Sequence, residues 1–251
     1  MEYLVGIDLH GTLLNKEEKI EKGIYKNLIT TLKSKPKNMS LFICTGNDLP
    51  FVKRKLGDIL RYFDGSILET GAVVSYNNIE ETIISNLNDV EKFSSLQKTL
   101  EEENFKEVYK FARRLTSISL FVNYGESVEK FYNKVLDFLK PYDFSYFRVT
   151  YSSVAVDIVP KNFDKYTGMR HVSSSATLIG IADSLNDREM LKKCDIAFLP
   201  SNYNTLLPSV TGKDSVNIKN YSKSCLNIAD YDTTKGVDQI LNFIFEKYGE
   251  R

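Results

Sequence analysis

Three short apolar runs in this chain each end on a residue that can do chemistry. Residues 3–7 lead into Asp8 and a Gly11-Thr12 turn. Residues 41–44 lead into Thr45-Gly46-Asn47, and residues 177–181 lead, through Ala182, into Asp183-Ser184-Leu185-Asn186-Asp187. Near-continuous apolar runs of strand length read as strands buried on both faces, which is the habit of parallel sheets covered by helices. In an open parallel sheet the ligand crevice lies beyond the carboxyl ends of the strands. The pattern therefore predicts an α/β chain whose site is assembled at strand tips from both ends of the sequence.

The segments between the runs fit that reading. Ile20, Ile24, Leu28 and Leu32 recur every fourth residue and predict a helix over 16–35, ended by Pro36. A second helix is expected over 49–60 with Pro50 in its first turn, where a missing N–H has no partner to lose. Residues 66–68 and 72–76 flank Gly71 as a hairpin. Near Asn77-Asn78 the alternation changes. Helices at 90–102 and 128–139 and strands at 117–123, 144–150 and 154–159 read as a separate α+β unit with antiparallel strands, Pro141 closing its second helix. The β-α alternation then resumes: a helix after Lys165, a strand at 177–181, a helix from Asp187, a strand at 195–199, short strands at 216–218 and 226–228, and a closing helix over 233–248. The expected organisation is a core of residues 1–77 and 160–251 with an insert at 78–159.

Taken together, Asp8-Leu9-His10-Gly11-Thr12, Thr45-Gly46, Lys165 and Asp183-Ser184-Leu185-Asn186-Asp187 resemble the ordered motifs of the haloacid dehalogenase (HAD) superfamily of phosphohydrolases. Glu69-Thr70-Gly71 is similar to a Glu-Asn-Gly turn of the branch with an α/β cap, which includes sugar-phosphate phosphatases, mannosyl-3-phosphoglycerate phosphatases and phosphomannomutases. The resemblance covers roughly residues 1–75 and 160–251 and implies a Rossmann-like parallel-sheet core with an inserted α+β cap that selects the substrate.

It also implies roles. Asp8 would be the nucleophile, forming an aspartyl-phosphate. Asp8, Asp183 and the backbone carbonyl of His10 would hold Mg2+, with Asp187 beside them and Asn186 assisting; magnesium takes one or two carboxylates and fills its shell with phosphate oxygen and water. Thr45 and Lys165 would act on the transferring phosphoryl group, and Gly46 and Thr12 would offer backbone donors to it. The family's first motif reads Asp-x-Asp-Gly-Thr, and its second Asp is the general acid/base; here that place is taken by His10. Imidazole titrates near neutrality and can serve either as acid or as base, though a neighbouring cation disfavours its protonated form. Arg113 and Arg114 in the insert are candidate substrate contacts, since arginine suits anions and hydroxyl-rich groups. His171, on the helix after Lys165, is expected to pack.

The resulting expectation is Mg2+-dependent hydrolysis of a small phosphomonoester, such as a sugar phosphate, phosphoglycolate or a glycosyl-phosphoglycerate. Two alternatives stay open: a phosphosugar mutase, and a phosphate-ester-binding protein of low turnover because of His10. A response-regulator receiver also uses Asp, Thr and Lys, but the Asp8–Thr12 turn and the insert argue against it. Lys+Arg and Asp+Glu both number 33, so the net charge is zero and nothing marks a nucleic-acid surface. Cys44, Cys194 and Cys225 lie far apart with no Cys-x-x-Cys, which disfavours a disulfide framework or structural zinc and fits a reducing compartment. No apolar stretch approaches the roughly 20 residues that span a bilayer, and the first strand already carries the candidate nucleophile, so a cytoplasmic protein without a cleaved leader is expected. The partner expected is a small phosphorylated metabolite; oligomeric state is silent.

Overall fold

The computed structural model describes residues 2–152 and 154–250, with the side chain of Arg113 outside the description. The chain divides into two compact units, one running to Glu81 and resuming at Asp164, the other spanning Thr82–Phe163. The sequence reading sets these junctions at 77/78 and 159/160, each four residues earlier than the contacts do.

The first unit begins with β1 (Tyr3–Asp8), α1 (Tyr25–Lys33), β2 (Met39–Cys44), α2 (Leu49–Leu56), β3 (Gly65–Leu68) and β4 (Val73–Tyr76). The second contains β5 (Thr82–Ile83), α3 (Leu87–Glu102), β6 (Val108–Arg113), β7 (Ile118–Val122), α4 (Val128–Leu139), β8 (Phe147–Tyr151) and β9 (Ala155–Pro160). The chain then returns through α5 (Lys165–Val172), β10 (Thr177–Ile181), α6 (Arg188–Lys193), β11 (Ile196–Leu199), α7 (Leu207–Thr211), β12 (Ser215–Asn217), β13 (Leu226–Ile228) and α8 (Thr233–Tyr248).

Within the first unit the sheet order is β12-β13-β11-β10-β1-β2-β3-β4. All of these pairings are parallel except the β3–β4 hairpin. The fold is thus mixed α/β with a predominantly parallel central sheet and a separate antiparallel sheet. Helices bury β1 completely from Leu4 to Ile7, which is why it reads as an unbroken apolar run. Gly6 of β1 and Gly180 of β10 face each other in register. A Cβ on Gly6 would come within 2.7 Å of Met169 Sδ and 2.9 Å of Cys44 Sγ, so the missing side chain is what lets α5 lie close on the sheet. The three cysteines are free thiols.

Two local expectations are corrected. The helix expected over 16–35 begins only at Tyr25. The Asn15 side chain accepts from the N–H groups of Glu17 and Lys19, and Glu18 is left-handed at φ 55, so a turn takes the place of the first helical turns. His171 does not pack; it is exposed on α5.

In the second unit the sheet order is β6-β7-β9-β8, antiparallel throughout. Phe93, Leu96 and Leu100 of α3 and Phe131, Val135 and Leu139 of α4 recur at three- and four-residue spacing. They close over Ile118, Leu120, Val122, Phe147, Val156 and Ile158 to form this unit's own core. Among the described residues no helix is long and apolar enough to cross a membrane.

Candidate active site

Register carries the candidate residues to one end of the first unit's sheet. Asp8 pairs with Cys44, so Thr45 follows one step beyond the tip of β1, and Ile7 pairs with Ile181, so Asp183 follows on the other side. Asp8 therefore closes β1, and Thr45 and Asp183 stand just past the carboxyl ends of the adjacent parallel strands β2 and β10. Lys165 is the first residue of α5, whose N-cap Asp164 forms a reciprocal capping box with Thr167. Its Nζ lies 2.5 Å from Asp8 Oδ1 and also bonds Asp187 Oδ1. All three of these charged side chains are buried.

Electrostatics follow from that burial. Burial alone would lower the Lys165 pKa, but Asp187 and Asp8 outweigh it and hold the ammonium charged far above its usual range. Asp183 is pushed up to about 7, first by burial and then by the charge of Asp8, with the Thr12 hydroxyl donating to it at 2.7 Å in partial relief. Asp187 rises to about 6 through burial, opposed by Lys165. Its second oxygen accepts from Ser184 Oγ at 2.9 Å, so both Asp187 oxygens are engaged.

The turn after β1 is shaped around Asp183. Gly11 is left-handed at φ +78, and a Cβ there would sit 2.4 Å from Asp183 Oδ2. Only glycine allows this approach. Leu13 N–H returns to the Asp8 carbonyl and Leu14 N–H to the Leu9 carbonyl, closing the turn. The Thr45 hydroxyl accepts from the N–H (3.2 Å) and the Nδ2 (3.3 Å) of Asn47, leaving its own hydrogen to give. Behind it, Thr70 N–H donates to the Thr45 carbonyl and Glu69 N–H to the Asn47 carbonyl. The Glu69-Thr70-Gly71 turn thus braces the Thr45–Asn47 loop.

His10 is turned toward Glu18, with Nε2 3.4 Å from Glu18 Oε1, and its ring lies 5.2 Å from that of Phe51. Glu18 also pairs with Lys55. Burial lowers the His10 pKa; Glu18 works against this, and Lys165 and Lys55 add to it.

Among the described residues no three His, Cys, Asp or Glu side chains converge as a metal cluster. The donor set nonetheless fits magnesium: two carboxylates, Asp8 and Asp183, whose mutual repulsion is only partly offset, to which the carbonyl of His10, two residues after Asp8, could be added. Asp187 is committed to Lys165 and Ser184 and would support the ion from outside its shell.

Asp8, Thr12, Thr45, Lys165, Asp183 and Asp187 are thus brought to one end of one sheet, with His10 and Gly46 on the same loops and Asn186 exposed beside Asp187. Arg114 belongs to the second unit, where it donates to Ser119 Oγ at 2.8 Å. Ser119 in turn bonds the Asp157 carboxylate. Arg113 closes β6, and its side chain lies outside the description. Sequence reasoning missed two residues that touch the site's loops. Glu18 carries no signal, because it falls in a stretch that reads as helix. Asn202 follows the apolar run of β11 and could have been found by the same strand-tip rule.

The profile of the haloacid dehalogenase-like hydrolase family matches this chain over residues 5–113 and 67–231. Solved structures share its fold at low identity. A putative HAD/COF-like hydrolase from Plasmodium vivax superposes with a TM-score of 0.70 at 14% identity, over 98% of this chain and 96% of that one. A haloacid dehalogenase-like hydrolase from B. subtilis gives 0.67 at 14% identity, over 96% and 99%. A trehalose-6-phosphate phosphatase related protein gives 0.66 at 16% identity, over 96% of each chain. No curated protein matches.

Proposed function

Because the chain belongs to the haloacid dehalogenase-like hydrolases, we propose that it hydrolyses a small phosphomonoester through an aspartyl-phosphate on Asp8. The observation that carries this reading is the buried Asp8–Lys165–Asp187 array beside Asp183 at adjacent parallel strand tips. An Asp8 oxygen attacks phosphorus, and the bond to the ester oxygen breaks. His10, when protonated, gives its proton to the leaving oxygen. Neutral His10 then takes a proton from water as that water attacks the aspartyl-phosphate, releasing inorganic phosphate and restoring the Asp8 carboxylate. Lys165, the Thr45 hydroxyl and the Gly46 N–H meet the equatorial phosphoryl oxygens. Mg2+, held by Asp8, Asp183 and the His10 carbonyl, would neutralise charge on the phosphoryl group.

The substrate class is a sugar phosphate, phosphoglycolate or glycosyl-phosphoglycerate. The name of one structural neighbour adds trehalose 6-phosphate to the compounds worth testing. One observation favours the low-turnover reading beside it: His10 faces Glu18 and its pKa is lowered, so little imidazolium is present at neutral pH to protonate a leaving group.

The test is a panel of phosphomonoesters assayed with Mg2+ and with excess chelator, in parallel with Asp8→Asn. Turnover of at least one ester, lost in chelator and lost by several orders of magnitude in Asp8→Asn, is expected. Asp8→Asn retaining more than about a tenth of wild-type kcat would remove the covalent route. Mg2+-dependent binding of phosphate esters without turnover would favour the binding reading.

A further inference from the structure

One side chain outside the motifs grips the loop on which the candidate nucleophile sits. Asn202 lies between β11 and α7. Its Nδ2 donates to the Gly11 carbonyl at 2.8 Å, and its Oδ1 accepts from the Thr233 N–H at 2.9 Å. Two residues on, Asn204 N–H donates to the carbonyl of Asp183 at 2.8 Å. A single short segment after the fourth strand tip therefore holds both the turn that follows Asp8 and the backbone of Asp183.

The consequence follows from peptide geometry. In a planar trans peptide the C=O of one residue and the N–H of the next point in opposite directions. Fixing the Gly11 carbonyl on Asn202 therefore aims the Thr12 N–H away from Asn202. Thr12 is fully buried, and among the described residues its N–H meets no protein acceptor. A buried N–H without a partner is uncommon and points to a ligand. The same peptide also sets the two contacts that seat the Asp183 carboxylate: the close approach of Gly11 and the Thr12 hydroxyl at 2.7 Å.

We infer that Asn202 is a positioning residue for phosphoryl transfer, orienting the Gly11–Thr12 peptide so that its N–H is presented to the phosphoryl group and Asp183 is held in register with Asp8. The inference rests on the phosphatase reading of the site. Asn202 touches neither phosphorus nor the ester; it acts through the peptide.

Two variants separate this role from a merely structural one. Asn202→Asp keeps an oxygen for the Thr233 N–H but replaces the donor to Gly11 with a repelling oxygen, and its extra negative charge should if anything favour cation binding. Asn202→Ala removes both bonds. Each is measured by thermal unfolding, by Mg2+ binding alone, by binding of orthovanadate as a transition-state mimic in Mg2+, and by kcat and KM on the best ester of the panel.

The expected pattern for Asn202→Asp is a Tm close to wild type and Mg2+ binding weakened less than orthovanadate binding, since the added charge offsets part of the loosened seat of Asp183. Orthovanadate binding and kcat should both be weaker by about 10-fold or more, since small misplacements of a reacting constellation cost that much, while KM changes far less. A purely structural residue would lower Tm and leave the properties of the folded fraction unchanged. Wild-type orthovanadate binding in Asn202→Asp would overturn the inference, as would losses in both variants that track only the folded fraction. If wild type binds neither Mg2+ nor orthovanadate, the phosphatase reading itself fails, and the inference falls with it.

Discussion

At the scale of single residues, the chemistry turns on His10. The imidazole stands where the family carries a carboxylic acid, and this chain gives it a carboxylate partner, Glu18, that a carboxylic acid would not want. His10→Ala is expected to lower kcat by about 10²–10⁴, the usual worth of a general acid/base, whereas His10→Asp is expected to retain or raise it. An unchanged His10→Ala with a strong gain in His10→Asp would make His10 a lesion and the protein a slow phosphatase. The pair with Glu18 gives a second, signed test. Burial lowers the His10 pKa and Glu18 raises it, so Glu18→Gln should lower it further. Where imidazolium supplies the leaving-group proton, activity falls as pH rises through that pKa. In Glu18→Gln the fall should come at lower pH. A pH–kcat profile superimposable on wild type would show that Glu18 has no hold on the acid.

At the scale of elements, the seat of α5 decides whether Lys165 reaches Asp8. Three glycines make that seat. Gly6 lies under Met169, Gly168 meets Ile67 and the backbone of Gly71, and Gly71 lies against the Asp164 carbonyl. Gly71 is left-handed at φ +94, and a Cβ there would fall 1.9 Å from Asp164 O, one residue before Lys165. Gly71→Ala should therefore cost about 1–3 kcal/mol or more in stability by denaturant unfolding, and should lower kcat of the folded protein, because relief of the clash shifts the start of α5. Gly23→Ala is the control: nothing lies within 4 Å of its would-be Cβ, and its stability should hold. The same elements show what a sequence discloses. Strands buried on both faces, such as β1 and β10, announce themselves as apolar runs, and their tips mark where Asp8 and Asp183 stand. β6 does not: it is an edge strand with a register shift between Val108 and Lys110 and with exposed Tyr109 and Lys110, so no alternation survives. The stretch before α1 misleads in the opposite sense, because its isoleucines keep helical spacing while the Asn15 side chain diverts the backbone. Glu18 reaches His10 only because that diverted turn folds it back, which helical spacing hides. Asn202 has a legible place after the tip of β11, while its bond to the Gly11 carbonyl, far away in the chain, does not show in local pattern.

At the scale of the whole molecule, the candidate site is a charge arrangement that folding strains and a cation should relax. Asp183 and Asp187 are raised from 3.8 to about 7 and about 6, so between about pH 4 and pH 7 the folded chain binds more protons at these groups than the unfolded chain does. Stability rises with pH only where the unfolded state holds more protons, so this site makes the metal-free protein less stable as pH rises through that window. Exposed carboxylates work the other way: Asp230, held at about 2 by Asn217, Lys219 and Gln239, contributes stability that is present above its unfolded value and lost as pH falls toward 2. The Tm of the metal-free protein therefore mixes opposite signs, and the informative quantity is the difference made by Mg2+ at each pH. Magnesium binds the ionised carboxylates and the folded state, so it stabilises in proportion to how far it outcompetes the proton at Asp183. The Tm increase produced by saturating Mg2+ should be small at pH 5 and should grow through pH 7 to 8. It should vanish at every pH in Asp183→Asn, which removes the charge while keeping the volume. A Mg2+ effect that is the same at pH 5 and pH 8, or that survives Asp183→Asn, would mean that the cation binds elsewhere and that the repulsion between Asp8 and Asp183 is not what it relieves.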